Sequence, residues 1–149
     1  MVREVYLRGS SVKVMFVAVG LYVDYLIPEA RDGNLSLERE LRVYEWLLTV
    51  LDKSSVESEF GLTTMALDEE YWGKLKAVLI LYDQILQRRI NEKKRSLAPK
   101  GSTESFERER EVVKTLLEST VFENTSSEKL SFPDEPKQIQ KAKIGFDIS

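Results

Sequence analysis

A chain of 149 residues and 17.2 kDa, 42% hydrophobic and 32% charged with 7 Gly and 4 Pro, has enough apolar material for one core and too little proline and glycine for a fibrous or wholly disordered molecule. Twenty-two basic against 25 acidic residues leave a net charge of -3, so no global field selects nucleic acid or an anionic membrane as partner. Cysteine and histidine are absent, which excludes disulfides, thiolate or imidazole metal sites, cysteine nucleophiles and histidine triads.

The first segment is ambiguous. Val2 to Leu7 followed by Arg8-Gly9-Ser10-Ser11 suits one arm and the turn of a β-hairpin, and Val12, Val14, Val17, Val19 and Val23 are β-branched. Length favours a helix from Val12 to Ile27, capped by Ser11 and closed by Pro28, because the apolar stretch exceeds an ordinary strand. A helix without a polar face belongs at the centre of a bundle or against a partner subunit. The run Val14 to Ile27 is short for a bilayer crossing and contains Asp24. Arg3, Arg8 and Lys13 precede it as in a secretory signal, but Glu4 interrupts the basic stretch and the small residues fall inside the apolar one. We therefore expect a cytoplasmic protein with no membrane partner.

A second helix is predicted from about residue 36 to 53. Ser36 stands at the cap position, Glu38 and Glu40 lie in the first turn, and Leu37, Leu41, Tyr44, Leu48 and Leu51 form an apolar stripe widened by Val43, Trp46, Leu47 and Val50. Residues 54 to 61 read as a connection under which Phe60, Leu62 and Met65 can tuck. Asp68 then caps a third helix with Glu69 and Glu70 in its first turn. Trp72, Leu75, Leu79, Tyr82 and Leu86 form the stripe, and the helix ends near residue 95, before Pro99-Lys100-Gly101. Gly73 is a weak point in its second turn. A fourth helix follows one of the caps Ser102, Thr103 or Ser105, with Phe106, Val113, Leu116 or Leu117, and Val121 inward.

The predicted fold is all-α: one domain over residues 1–123, a bundle of about four helices, and an extended tail over 124–149 ordered by packing on the domain or on a partner. Pro133, Pro136 and few large apolar residues define the tail, whose anchors for a partner are Phe132, Ile139, Ile144 and Phe146. No internal repeat is evident. Few Asn and Gln beside abundant Glu, Lys and Arg match the composition of thermophile proteins.

Acidic residues are the only conventional catalytic material. Magnesium-dependent all-α hydrolases need acidic pairs at helical spacing on facing helices, whereas Glu38 to Glu40 and Asp68 to Glu70 are better explained as complements to helix N-termini. Glu107-Arg108-Glu109-Arg110-Glu111 reads as a solvated face with i, i+3 ion pairs. Isolated glycines provide no phosphate loop, and no serine has a base. We assign no catalytic residue, metal ligand or cofactor.

Charge is unevenly distributed. Residues 34–87 carry 5 basic and 10 acidic side chains, residues 88–100 carry 6 and 1, and residues 101–136 carry 4 and 9. The positive band, Arg88, Arg89, Lys93, Lys94, Arg95 and Lys100, can set at least four charges towards one side of a helix, the pattern that contacts RNA or DNA phosphates. The same cations also complement a helix C-terminus. Taken together, these features predict a non-catalytic accessory or structural subunit of a larger assembly, in hetero-complex or oligomer with other protein subunits and with nucleic-acid backbone near the band. The alternatives are a carboxylate-based, divalent-metal hydrolase and an adaptor that binds protein alone.

Overall fold

The computed structural model describes residues 1–130 except 32, 58–60, 97, 98 and 100. Two strands and four helices follow in the order β1 (Val2–Arg8), α1 (Gly9–Arg31), α2 (Leu35–Glu57), β2 (Leu62–Asp68), α3 (Glu69–Arg95) and α4 (Glu104–Glu118). The helical bundle is as expected from the apolar stripes. The N-terminal strand exists, but not as a local hairpin: β1 pairs antiparallel with β2, from Val2 opposite Asp68 to Arg8 opposite Leu62. Residues 54–57, expected in the connection, belong to α2, and Gly61 leads directly into this second strand. Its alternation is Thr63, Met65 and Leu67 inward with Leu62, Thr64 and Ala66 outward, and an inward threonine and an outward leucine blur the period-two signal.

Helix α1 is longer than the Val12–Ile27 prediction and encloses Pro28 instead of stopping at it. Proline disturbs the turn before it, and its fixed φ lets the last few residues remain helical. Gly33, at φ 85°, then turns the chain, its N–H on the Ala30 carbonyl at 3.3 Å. By length and composition α1 is the one helix among the described residues that can cross a membrane. In this fold Val12, Met15, Val19 and Leu26 instead form the centre of the core. Being apolar on most sides reflects a central position in the bundle.

The cap of α2 is Asn34, not Ser36: its Oδ1 accepts the Leu37 N–H at 3.2 Å. Asp68 occupies the N-cap position of α3 without a side-chain cap bond, and its carboxylate faces the Met1 amino group at 3.5 Å. Trp46, expected in the core, is 47% exposed and leans on Tyr71 at 5.0 Å between ring centroids. Residues 119–130 fold back over the start of α3, where Phe122 meets Trp72 edge-on at 6.1 Å and Thr125 is buried. The first residues assigned to the tail therefore lie against the domain. The anchors Phe132, Ile139, Ile144 and Phe146 lie outside the described residues.

The order strand–helix–helix occurs twice. Because β1 and β2 pair around Val5 and Met65, the local two-fold of the antiparallel ladder carries residue i onto i + 60, and both strands run directly into their helices at this spacing. Burial follows the same offset. Val12, Val14, Met15, Ala18, Val19, Tyr22, Leu26 and Ala30 of α1 are buried, and so are Trp72, Lys74, Leu75, Val78, Leu79, Tyr82, Leu86 and Ile90 of α3. Of these eight pairs only Tyr22/Tyr82 and Leu26/Leu86 keep the residue, so the repetition is invisible in the sequence.

Candidate nucleic-acid interface

The basic band occupies the last two turns of α3, as its spacing predicts, but packing divides it. Arg89 and Lys93 turn to α4, where the guanidinium and the ammonium lie over the Phe106 ring at 6.0 and 5.5 Å from its centroid. A cation over a ring face is held by the ring quadrupole, and both side chains stay partly exposed. Arg88, Lys94 and Arg95 are exposed. At 100° per residue, Arg88 and Arg95 share a face with Glu92 beside them, whereas Lys94 projects elsewhere. Four of the five described cations thus lie within one half of the helix circumference, two of them pinned by α4. Lys100 lies outside the described residues.

The end of α3 is closed by Ser96, whose N–H bonds the Glu92 carbonyl and whose hydroxyl donates to the Lys93 carbonyl, each at 3.0 Å. The cations Lys93, Lys94 and Arg95 therefore also complement the negative end of the helix dipole. About three turns earlier, Arg110 of α4 donates to Asp83 at 2.9 Å. The Glu107–Glu111 stretch is thus less uniformly solvated than expected: Arg110 pairs across helices, and Glu109 accepts from the Tyr82 hydroxyl. Burial and this bond to Glu109 both raise the Tyr82 pKa, opposed by the nearby Arg89.

A second charged site, at the other end of α3, was not anticipated. A cleft of about 720 Å³ lies among Arg3, Glu70, Gly73, Lys74, Thr125 and Glu128. The Lys74 side chain is only 7% exposed; its Nζ lies 3.3 Å from Glu40 Oε1 and 3.5 Å from Glu128 Oε1, and 5.6 Å from the centroid of the Tyr44 ring. Arg3 pairs with Glu69, donates to Thr125 Oγ1 at 3.1 Å and lies over Trp72 at 5.1 Å. The Trp72 indole N–H donates to the Arg3 carbonyl at 3.1 Å. Lys76 Nζ donates to the Phe122 and Thr125 carbonyls at 3.3 and 2.6 Å, tying down the segment after α4. The signal available in the sequence was Lys74 itself, a cation in the middle of an apolar stripe.

Desolvation raises the pKa values of the buried phenols above Lys74, Tyr22 to about 12 and Tyr44 further, with the Glu40 and Glu128 charges adding to both. Glu69, a carboxylate on which the hydrolase alternative depends, is engaged by Arg3. Among the described residues no group of three or more acidic side chains gathers as a metal site would require. Comparison with protein-family models, with curated proteins and with solved structures gives no match.

Proposed function

We propose that this protein is a non-catalytic accessory subunit of a nucleic-acid-associated assembly in the cytoplasm, working with other protein subunits and placing the C-terminal end of α3 against a phosphate backbone. The observation that carries this reading is the pair Arg89 and Lys93 stacked on Phe106, beside exposed Arg88 and Arg95. Cations already held in place lose less side-chain entropy when they meet phosphate than free surface lysines do. Phosphate contact is independent of base identity, so RNA and duplex DNA should both bind, with strong salt dependence.

The test is a titration of fluorescein-labelled single-stranded RNA and duplex DNA at several salt concentrations. Changing Arg88, Lys94 and Arg95 together to Ser should weaken binding and flatten the log–log salt slope, for each phosphate that is no longer neutralised, by roughly 0.9 on duplex DNA and roughly 0.7 on the single strand. Phe106→Leu keeps every charge but frees Arg89 and Lys93, and should weaken binding less. Affinity and slope unchanged when Arg89 and Lys93 are changed to Ser together with Arg88, Lys94 and Arg95 would remove the nucleic-acid reading and leave an adaptor that binds protein alone.

A further inference from the structure

Beside β1, on the side away from β2, runs a groove of about 790 Å³ with Tyr6 and Arg8 on the strand side and Val112, Thr115 and Leu116 of α4 on the other. The phase of the sheet shows what the strand offers to this groove. The Gly9 N–H donates to the Gly61 carbonyl at 3.3 Å and extends the ladder by one pair, so the odd-numbered residues of β1 exchange hydrogen bonds with β2. The N–H and C=O groups of Glu4, Tyr6 and Arg8 therefore point away from β2. The Arg8 carbonyl also accepts the first hydrogen bond of α1, whereas among the described residues no second strand pairs with Glu4 and Tyr6 and no backbone group from a turn or loop bonds them. Unpaired edges of this kind are templates for another strand.

We infer that the occupant is β1 of a second copy of this chain, paired antiparallel about a two-fold axis at Tyr6, so that two sheets become one of four strands. Charge complementarity selects this register. With the two-fold at Tyr6, Glu4 of each copy stands opposite Arg8 of the other, and the two tyrosines meet at the axis. A two-fold at Glu4 opposes two carboxylates, one at Arg8 opposes two guanidinium groups, and one at Val5 or Leu7 leaves Glu4 and Arg8 without each other. Glu4, Tyr6 and Arg8 are all exposed, Tyr6 by 72%, so the matched groups are free to meet across the axis. On the inner face, Val5 and Leu7 of each strand fall opposite one another over the apolar side chains of α4. This inference is independent of the nucleic-acid reading.

Analytical ultracentrifugation of the full chain is expected to detect a dimer. Glu4→Arg or Arg8→Glu alone should raise its dissociation constant about tenfold, because two cross-strand pairs change from attractive to repulsive by symmetry. The double variant Glu4→Arg/Arg8→Glu should return it to the parent value, which a purely structural role for either residue does not predict. The chain has no cysteine, so Tyr6→Cys introduces a single thiol, and directly opposed hydrogen-bonded residues lie about 5.5 Å apart at Cα, within disulfide reach. Mild oxidation should therefore cross-link Tyr6→Cys and leave Thr64→Cys on β2 uncross-linked. A monomer at every concentration overturns the inference, as does a dimer indifferent to single charge reversal or one that the double variant does not restore.

Discussion

Helices α1 and α3 occupy equivalent places in the two strand–helix–helix halves and bury nearly the same positions, yet they are stabilised differently. Helix α1 buries small and branched apolar side chains around Tyr22. Its counterpart places Trp72 where α1 has Val12, and Lys74 where α1 has Val14, and it is overlaid by residues 119–130. A helical framework thus specifies which positions are inside but not their chemistry. A cation is tolerated at Lys74 because Glu40 of α2 and Glu128 of the overlying segment reach it.

The comparison breaks first at the tryptophan. Trp72→Ala removes the largest fully buried side chain together with its bond to the Arg3 carbonyl, and should cost about 3–5 kcal/mol in a denaturant titration. Val12→Ala, at the equivalent place, should cost about 2 kcal/mol. Equal losses would mean that the halves do not differ in what they bury. Next comes the exchange of cation and hydrocarbon. Val14→Lys puts an unpaired charge where none is compensated and should destabilise by about 3 kcal/mol, whereas Lys74→Met should cost about 1 kcal/mol, because the carboxylates it leaves without their cation, Glu40 and Glu128, are 37% and 64% exposed and water solvates them.

A smaller effect sharpens the role of the overlying segment. A Cβ on Gly73 would meet the Ser126 carbonyl oxygen at 2.5 Å, so Gly73→Ala must displace residues 124–130 and should cost about 1–3 kcal/mol. Lys13, its exposed counterpart on α1, should accept alanine within about 0.5 kcal/mol. The smallest difference is in alkaline titration. Tyr22 and Tyr82 both have raised pKa values, chiefly through burial. For Tyr22 the unfolded chain ionises near its usual value of about 10 while the folded one holds its proton to about 12. The unfolded state binds fewer protons in that window, so stability is full below pH 10 and falls as pH rises towards 12. Tyr22→Phe should make the decline shallower, as read by denaturant midpoints across that range.

Helices α2, α3 and α4 were legible because stripes at three- and four-residue steps bury one face whatever lies opposite, and α3 ends at Arg95 as its pattern predicts. Strand β2 was not legible. Its period-two alternation is carried by Thr63, Met65 and Leu67 against an outward Leu62, and a strand has a purpose only when its partner, some sixty residues away in sequence, is known. The basic band was legible as composition, but its division between half-buried cations over Phe106 and exposed ones was not. That division depends on the side of α3 along which α4 packs.

From its sequence alone this protein was determined to be one apolar core built largely of helices, with a concentration of positive charge before Pro99, because periodicity and charge are local properties of the chain. Tertiary structure alone decided that β1 pairs with β2, that a strand and the helix after it recur at an offset of sixty residues, and that Lys74 is buried between two carboxylates. Each of these joins residues far apart in sequence. The free energy that selects such contacts comes from burial and charge pairing across elements, which no single segment contains.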